Sequence, residues 1–271
     1  KRRNAGWVYV TPDELPNPWD TLPGAAYWEA ERRAAADGAD ETPPGVSAPA
    51  ENLVLYSQLG PGEGPVPVRV VWSGSDGQSG VAGYELEHGE NGGPFEAVPL
   101  PAPSATAVTL RLSPGEHAFR VRGLDRAGNA SAWAASPAFS LVARQEDGAG
   151  VSYPAGRWRL AQTSGAYGGE LRYEKDPPAT ARFSFAAREV AWVSARGPNR
   201  GRAEVWVDGA RAATVDLYSG TARAREVVFR RDFGGRGAHS LEVRPLGVGD
   251  ELSTGTRVDV DAFLIIDQGT P

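Results

Sequence analysis

Gly115-Glu116-His117-Ala118-Phe119-Arg120-Val121-Arg122 returns, altered but recognisable, as Gly237-Ala238-His239-Ser240-Leu241-Glu242-Val243-Arg244. Both copies read Gly-x-His, then alternate apolar and polar residues. A glycine turn leading into period-2 alternation marks a half-buried antiparallel strand. Two copies in different contexts predict an all-β chain of two consecutive antiparallel β-sandwiches, each with its own core.

The first copy lies in residues 51–143. Val68-Arg69-Val70-Val71-Trp72 alternates, and Tyr84, Leu86 and His88 share one face of another strand, with Glu85 and Glu87 on the other. Asn91-Gly92-Gly93 is a hairpin signal, because Asn and Gly accept the positive φ of a type I′ turn. The second copy lies in 151–267, after a linker at 144–150. Strand-like runs there span 158–162, 170–174, 181–185, 190–193, 203–207, 213–217, 226–230, 240–245 and 258–266, and Asp208-Gly209 marks a second hairpin. No segment carries helical periodicity. The Arg223-Ala224-Arg225 and Arg230-Arg231 pairs read as solvated charges guarding a strand edge.

Residues 1–50 form an irregular extension and linker. Trp7 to Thr11 is strand-like, the prolines from Pro12 to Pro23 forbid helix or ladder, and 27–36 suits a short helix. Trp7, Trp19 and Trp28 need something to pack against, so self-association through this extension is one expectation.

Composition narrows the function classes. The 271 residues carry 34 acidic and 28 basic side chains, net -6. A nucleic-acid binder needs a basic face for phosphates, which this balance disfavours. There is no Cys, hence no disulfide, thiolate metal site or cysteine nucleophile. No apolar run approaches the roughly 20 residues of a membrane span. The chain contains no Met, so Lys1 is read as lying after processing or inside something larger.

Three resemblances add to this. Gly6-Trp7-Val8-Tyr9-Val10-Thr11, Leu15 to Pro23 and Tyr27-Trp28 are similar to the C-terminal end of spherulin-4-like proteins, barrel-shaped relatives of glycoside hydrolases. Ser79-Gly80-Val81-Ala82-Gly83-Tyr84-Glu85-Leu86 and Asp125-Arg126-Ala127-Gly128-Asn129-Ala130-Ser131-Ala132-Trp133 resemble bacterial fibronectin type III-like modules. Tyr167-Gly168-Gly169, Gly201 to Gly209, Val215-Asp216-Leu217-Tyr218 and Asp259-Val260-Asp261-Ala262-Phe263 resemble galactose-binding-like jelly rolls, which accompany secreted glycoside hydrolases. The resemblances imply a secreted or cell-surface bacterial cassette whose parent acts on carbohydrate. No catalytic residue carries over to this chain.

The residues themselves offer little catalysis. No nucleophile elbow is present, and no His pair has metal-ligand spacing. His117 and His239 occupy the corner position where a side chain bonds nearby backbone. Asp259 and Asp261 share a strand face. They suit a structural calcium ion or a place in a ligand groove, against a solvated strand face or bonds to loop backbone, and no other cofactor is expected. Sugar recognition combines aromatic faces with planar hydrogen-bonding groups. If Ala203, Val205 and Val207 face the core, Trp206 is exposed beside Glu204 and Asp208. Tyr167, Tyr218, Arg196, Asn199 and Arg200 complete the candidate carbohydrate-binding set, with a polysaccharide as partner. The competing reading is a spacer or subunit of a surface fibre or adhesin, in which those aromatics pack within or between modules.

Overall fold

The computed structural model describes residues 40–268. The extension's strand, helix and spherulin-like segment, and the self-association assigned to them, lie outside the described residues. Within them there are 19 strands, no α-helix and a short 3-10 turn at Tyr167–Gly169. The first ten strands are β1 (Gly45–Val46), β2 (Ala50–Leu53), β3 (Val66–Val71), β4 (Gly74–Ser75), β5 (Val81–Glu90), β6 (Glu96–Val98), β7 (Ala107–Leu112), β8 (Gly115–Asp125), β9 (Ala134–Ala135) and β10 (Phe139–Gln145). The rest are β11 (Val151–Ala155), β12 (Arg159–Gln162), β13 (Glu170–Glu174), β14 (Thr180–Arg196), β15 (Gly201–Val207), β16 (Ala210–Asp216), β17 (Arg223–Gly249), β18 (Val258–Val260) and β19 (Ala262–Gln268). No helix among them is long and apolar enough to cross a membrane.

The turn chemistry acts where it was read. Asn91 and Gly92 adopt φ 51° and 70° after β5, and Asp208 and Gly209 adopt φ 49° and 80° between β15 and β16. Both copies of the repeated phrase are strands. The first opens β8, and the second lies inside β17, which is far longer than alternation suggested. Runs 181–185 and 190–193 are one strand, β14. Runs 226–230 and 240–245 are one strand, β17, and the two pair antiparallel from Ala181↔Val243 to Arg196↔Arg223. An irregularity between Ala187 and Glu189 absorbs extra β17 residues around Gly234. The 258–266 run instead breaks at Asp261, where the chain leaves one sheet for another.

A single 11-stranded sheet runs through both halves, in the order β16-β15-β17-β14-β19-β10-β8-β5-β6 with β11 on β14 and β9 on β8. β2-β3-β7 covers it in the first half and β12-β13-β18 in the second. The join is β10 against β19, paired from Phe139↔Gln268 to Gln145↔Ala262. Each half has its own core, as expected, but the two cores share strand β19. Alternation sends Ala262, Leu264 and Ile266 of β19 into the first core, with Phe119, Phe139 and Val68, and Phe263 and Ile265 into the second, with Trp192 and Phe183. Burying a Val, Leu or Ile side chain is worth about 1.5–3 kcal/mol. Val193, Val227, Leu264 and Ile266, contributed by the second half to the first core, thus tie the halves together by roughly 6–12 kcal/mol before conformational entropy is subtracted.

Polar bonds reinforce the junction. The Tyr56 amide donates to Val227 O at 2.8 Å and the Val227 amide to Ser57 O at 2.9 Å. Glu189, fully buried, accepts the Leu53 amide at 3.2 Å and pairs with Arg230 at 2.8 Å. The Leu59 amide donates to Arg225 O at 2.9 Å, and Arg230 Nη2 donates to Asn52 Oδ1 at 2.9 Å. This stretch of β17 is bordered by β14 on one side and by residues 56–59 of the first half on the other, so Arg225 and Arg230 are junction residues, and the edge-charge reading is corrected for both.

Candidate functional site

The alternation of β15 builds the site. Ala203 and Val205 are fully buried in the second core, which turns Glu204 and Trp206 to the opposite face of the large sheet. Neighbouring strands place two rows beside them. Thr214, Glu204 and Arg244 are in register across β16, β15 and β17. Arg211, Trp206, Glu242 and Arg182 form the next row, from β16 to β14.

Trp206 is half-buried. Its Nε1–H donates to Glu204 Oε2 at 2.9 Å, and the Arg244 guanidinium lies 4.2 Å from its ring. Arg211 Nε reaches Glu204 Oε1 at 3.0 Å. Glu242 is bonded by both Arg182 and Arg244. Burial acts to raise the Glu242 carboxyl, yet the hydrogen bonds and charges of Arg182 and Arg244 hold it below the usual carboxylate range. The result is an indole fixed in orientation within a grid of guanidinium and carboxylate groups, with all three carboxylate–guanidinium pairs satisfied internally.

The other candidates lie elsewhere. Arg196, Asn199, Arg200 and Tyr218 gather around the loop before β15, roughly five residues or 17 Å along the strand from Trp206. Arg196 Nη2 donates to Tyr218 O at 2.9 Å and Nη1 reaches Glu226 at 3.3 Å. Its guanidinium lies 5.6 Å from the ring of Tyr56, which is 61% exposed. Arg200 bonds Asn199 Oδ1 and the buried Asp259. Tyr167 is 2% exposed and packs into the first core, so its ring is not open to a ligand. The glycines that made its loop look exposed instead form a 3-10 turn with Gly168 at φ 70°, and Asp261 Oδ1 accepts the Tyr167 amide at 2.8 Å.

Asp259 and Asp261 are both fully buried. Asp259 pairs with Arg200 and Arg257, and Asp261 bonds loop backbone at Tyr167. This is the backbone-bonding alternative in the case of Asp261, and an ion-pair network in the case of Asp259. His117, 1% exposed, reaches Ser113 O at 2.9 Å and His88 Nε2 at 2.9 Å, a corner role. His239 differs, bonding Asp208 Oδ2 at 2.7 Å and stacking on Phe233 at 3.6 Å between centroids.

Arg182, Arg211, Glu242 and Arg244 were not among the sequence candidates. Glu242 and Arg244 alternate with Leu241 and Val243 inside the repeated phrase, so their shared face was legible there. Their pairing with Trp206 required the β15–β17 register.

No family model matches the chain. A curated relative, the A type blood N-acetyl-alpha-D-galactosamine deacetylase of Flavonifractor plautii, is 32% identical over 88 residues, 32% of this chain and 11% of that protein. The chain thus spans about a tenth of that relative's length. Among solved structures, a two-domain esterase active on acetylated mannans aligns with TM-score 0.36 and 13% identity over 47% of this chain and 37% of that one. An exo-beta-1,3-galactanase from Phanerochaete chrysosporium aligns with TM-score 0.33 and 9% identity over 80% and 68%. These similar proteins are carbohydrate-active enzymes with weak, partial likeness to an all-β, sandwich-like chain.

Proposed function

We propose that this chain is a non-catalytic attachment cassette of a secreted or cell-surface carbohydrate-active protein, and that it holds a polysaccharide on the open sheet face around Trp206. The observation that carries the reading is the fixed, half-exposed indole among Glu204, Arg211, Glu242, Arg244 and Arg182. A pyranose stacks its C–H groups on such a ring, and its hydroxyls pair with carboxylate and guanidinium groups. A ring already held by Glu204 and Arg244 loses little freedom on binding. Acid–base hydrolysis needs one carboxyl protonated near neutral pH. Glu242, held ionised by two arginines, is unsuited to that part. The partial deacetylase relative supports a carbohydrate-related parent, and the jelly-roll resemblance agrees with it.

Affinity electrophoresis through gels containing a panel of polysaccharides, amino-sugar polymers included, tests this. The wild-type chain is retarded by at least one. Trp206→Ala weakens that interaction at least tenfold, about 1.4 kcal/mol, while the folded baseline is kept because the ring is outside the core. Absence of retardation on every polymer, or equal retardation of W206A, would refute the reading and leave the spacer role.

A further inference from the structure

We propose that Asp40, Asp76 and Asp125 form a calcium-binding site at one end of the first sandwich, remote from the Trp206 face and independent of its function. The three come from different places: Asp40 precedes β1, Asp76 follows β4, and Asp125 ends β8. One carboxylate oxygen of each lies within 4.8 Å of the others. A cation with bonds of about 2.3–2.6 Å spans that distance between ligands. Asp40 and Asp125 are only 4% and 3% exposed.

The polar bonds around the cluster leave its charge unanswered. Asp40 accepts the Thr42 amide at 2.9 Å and the Ser79 amide at 3.0 Å. Asp76 accepts the amides of Gln78 and Gly80 at 3.0 and 2.7 Å. Asp125 accepts the Asn129 amide at 2.7 Å and Asn129 Nδ2 at 2.8 Å. Every donor is a neutral amide, and among the described residues none of the three acids forms an ion pair. The adjacent Arg126 donates instead to Ser79 O at 3.3 Å.

A second observation points into the same place. Ser79 is 4% exposed, and its hydroxyl oxygen is buried without a hydrogen-bond partner among the described residues. Ser79 stands beside the cluster, its amide donating to Asp40 Oδ2 at 3.0 Å. An orphaned hydroxyl beside three converging carboxylates is what a cavity for a hard cation leaves when side chains alone are counted. The donor set is all oxygen, with no His or Cys, which disfavours zinc. Three carboxylates from separate segments suit the irregular shell of calcium better than the rigid octahedron of magnesium. Bound there, the ion would tie the chain at Asp40 to the β4–β5 loop and to the end of β8, where Asn129 Nδ2 already donates to Asp40 O at 2.8 Å.

The test uses the full chain after chelator treatment, by calorimetric titration with CaCl2 and thermal melts in CaCl2, MgCl2 or ionic-strength-matched NaCl. One site with Kd at or below about 1 mM is expected, with Tm rising with calcium and not with sodium. Asp76→Asn, at the half-buried position least needed for folding, should weaken calcium at least tenfold. In chelator its Tm should equal or exceed that of wild type, because one of three facing charges is gone. No heat and no Tm shift at about 10 mM calcium, an equal response to sodium, or unchanged calcium affinity in D76N would each overturn the site.

Discussion

Leu264→Ala separates one welded unit from two independent sandwiches. Leu264 is fully buried on β19, a second-half strand, yet its side chain belongs to the first core, with Phe119, Phe139 and Tyr167 nearby in the same cluster. Truncation removes buried apolar volume that strands paired on both sides of β19 cannot collapse to fill. Leu→Ala at such sites costs about 2–5 kcal/mol, and we take ~3 kcal/mol here. For a cooperative unit of this size, each kcal/mol shifts Tm by about 2–4 °C, so calorimetry should show one transition lowered by roughly 6–12 °C. Hydrogen exchange read by mass spectrometry gives the sharper result. Amides of β3 in the first half and β15 in the second should lose the same protection free energy, because both exchange through global opening. Two transitions, or loss of protection confined to β15, would refute the shared-core reasoning.

Glu189 gives stability a neutral-pH dependence. Burial pushes its carboxyl up to about 7 despite Arg230, the Leu53 amide and Arg188. The folded state therefore binds this proton more tightly than the unfolded chain, and stability falls by up to ~3 kcal/mol as pH rises from about 4.5 through 7. Urea unfolding of Glu189→Gln across that window should show a flatter profile than wild type, and an unchanged slope would contradict it. Gly209→Ala should cost about 1 kcal/mol, because Gly209 sits at φ 80° with open space where a Cβ would go. Gly156→Ala should cost more in the same denaturation assay, since at φ 94° its Cβ would meet the Ala179 Cβ at 2.5 Å. Equal costs would show that backbone strain alone decides both positions. Arg244→Ala should lower the melting temperature by about 1–4 °C, as expected for a partly exposed cation–π pair worth ~0.5–1 kcal/mol with Arg182 left to pair with Glu242, while loosening the Trp206 ring and weakening any polysaccharide retention.

Local rules carried the all-β class, the strands of both repeated phrases, the Asn91-Gly92 and Asp208-Gly209 turns, and the outward placement of Trp206. Each depends on alternation or on a positive φ, properties of a few consecutive residues. Where the chain had to choose between neighbours far apart in sequence, the residues were silent. Nothing in Tyr167-Gly168-Gly169 says that the ring enters the first core. Alternation in β10 and β19 gives each strand two faces but not its partner, so only their pairing reveals one continuous sheet and a core shared across it. Glu242 and Arg244 likewise meet Trp206 through register. The three aspartates at 40, 76 and 125 stand in segments with no common spacing, and they converge because the chain before β1, the end of β4 and the end of β8 lie on the same side of the first sandwich. A side chain's face is a local property of its strand. Its company is set by which strands pair, and that is decided by burying apolar faces across the whole molecule at once.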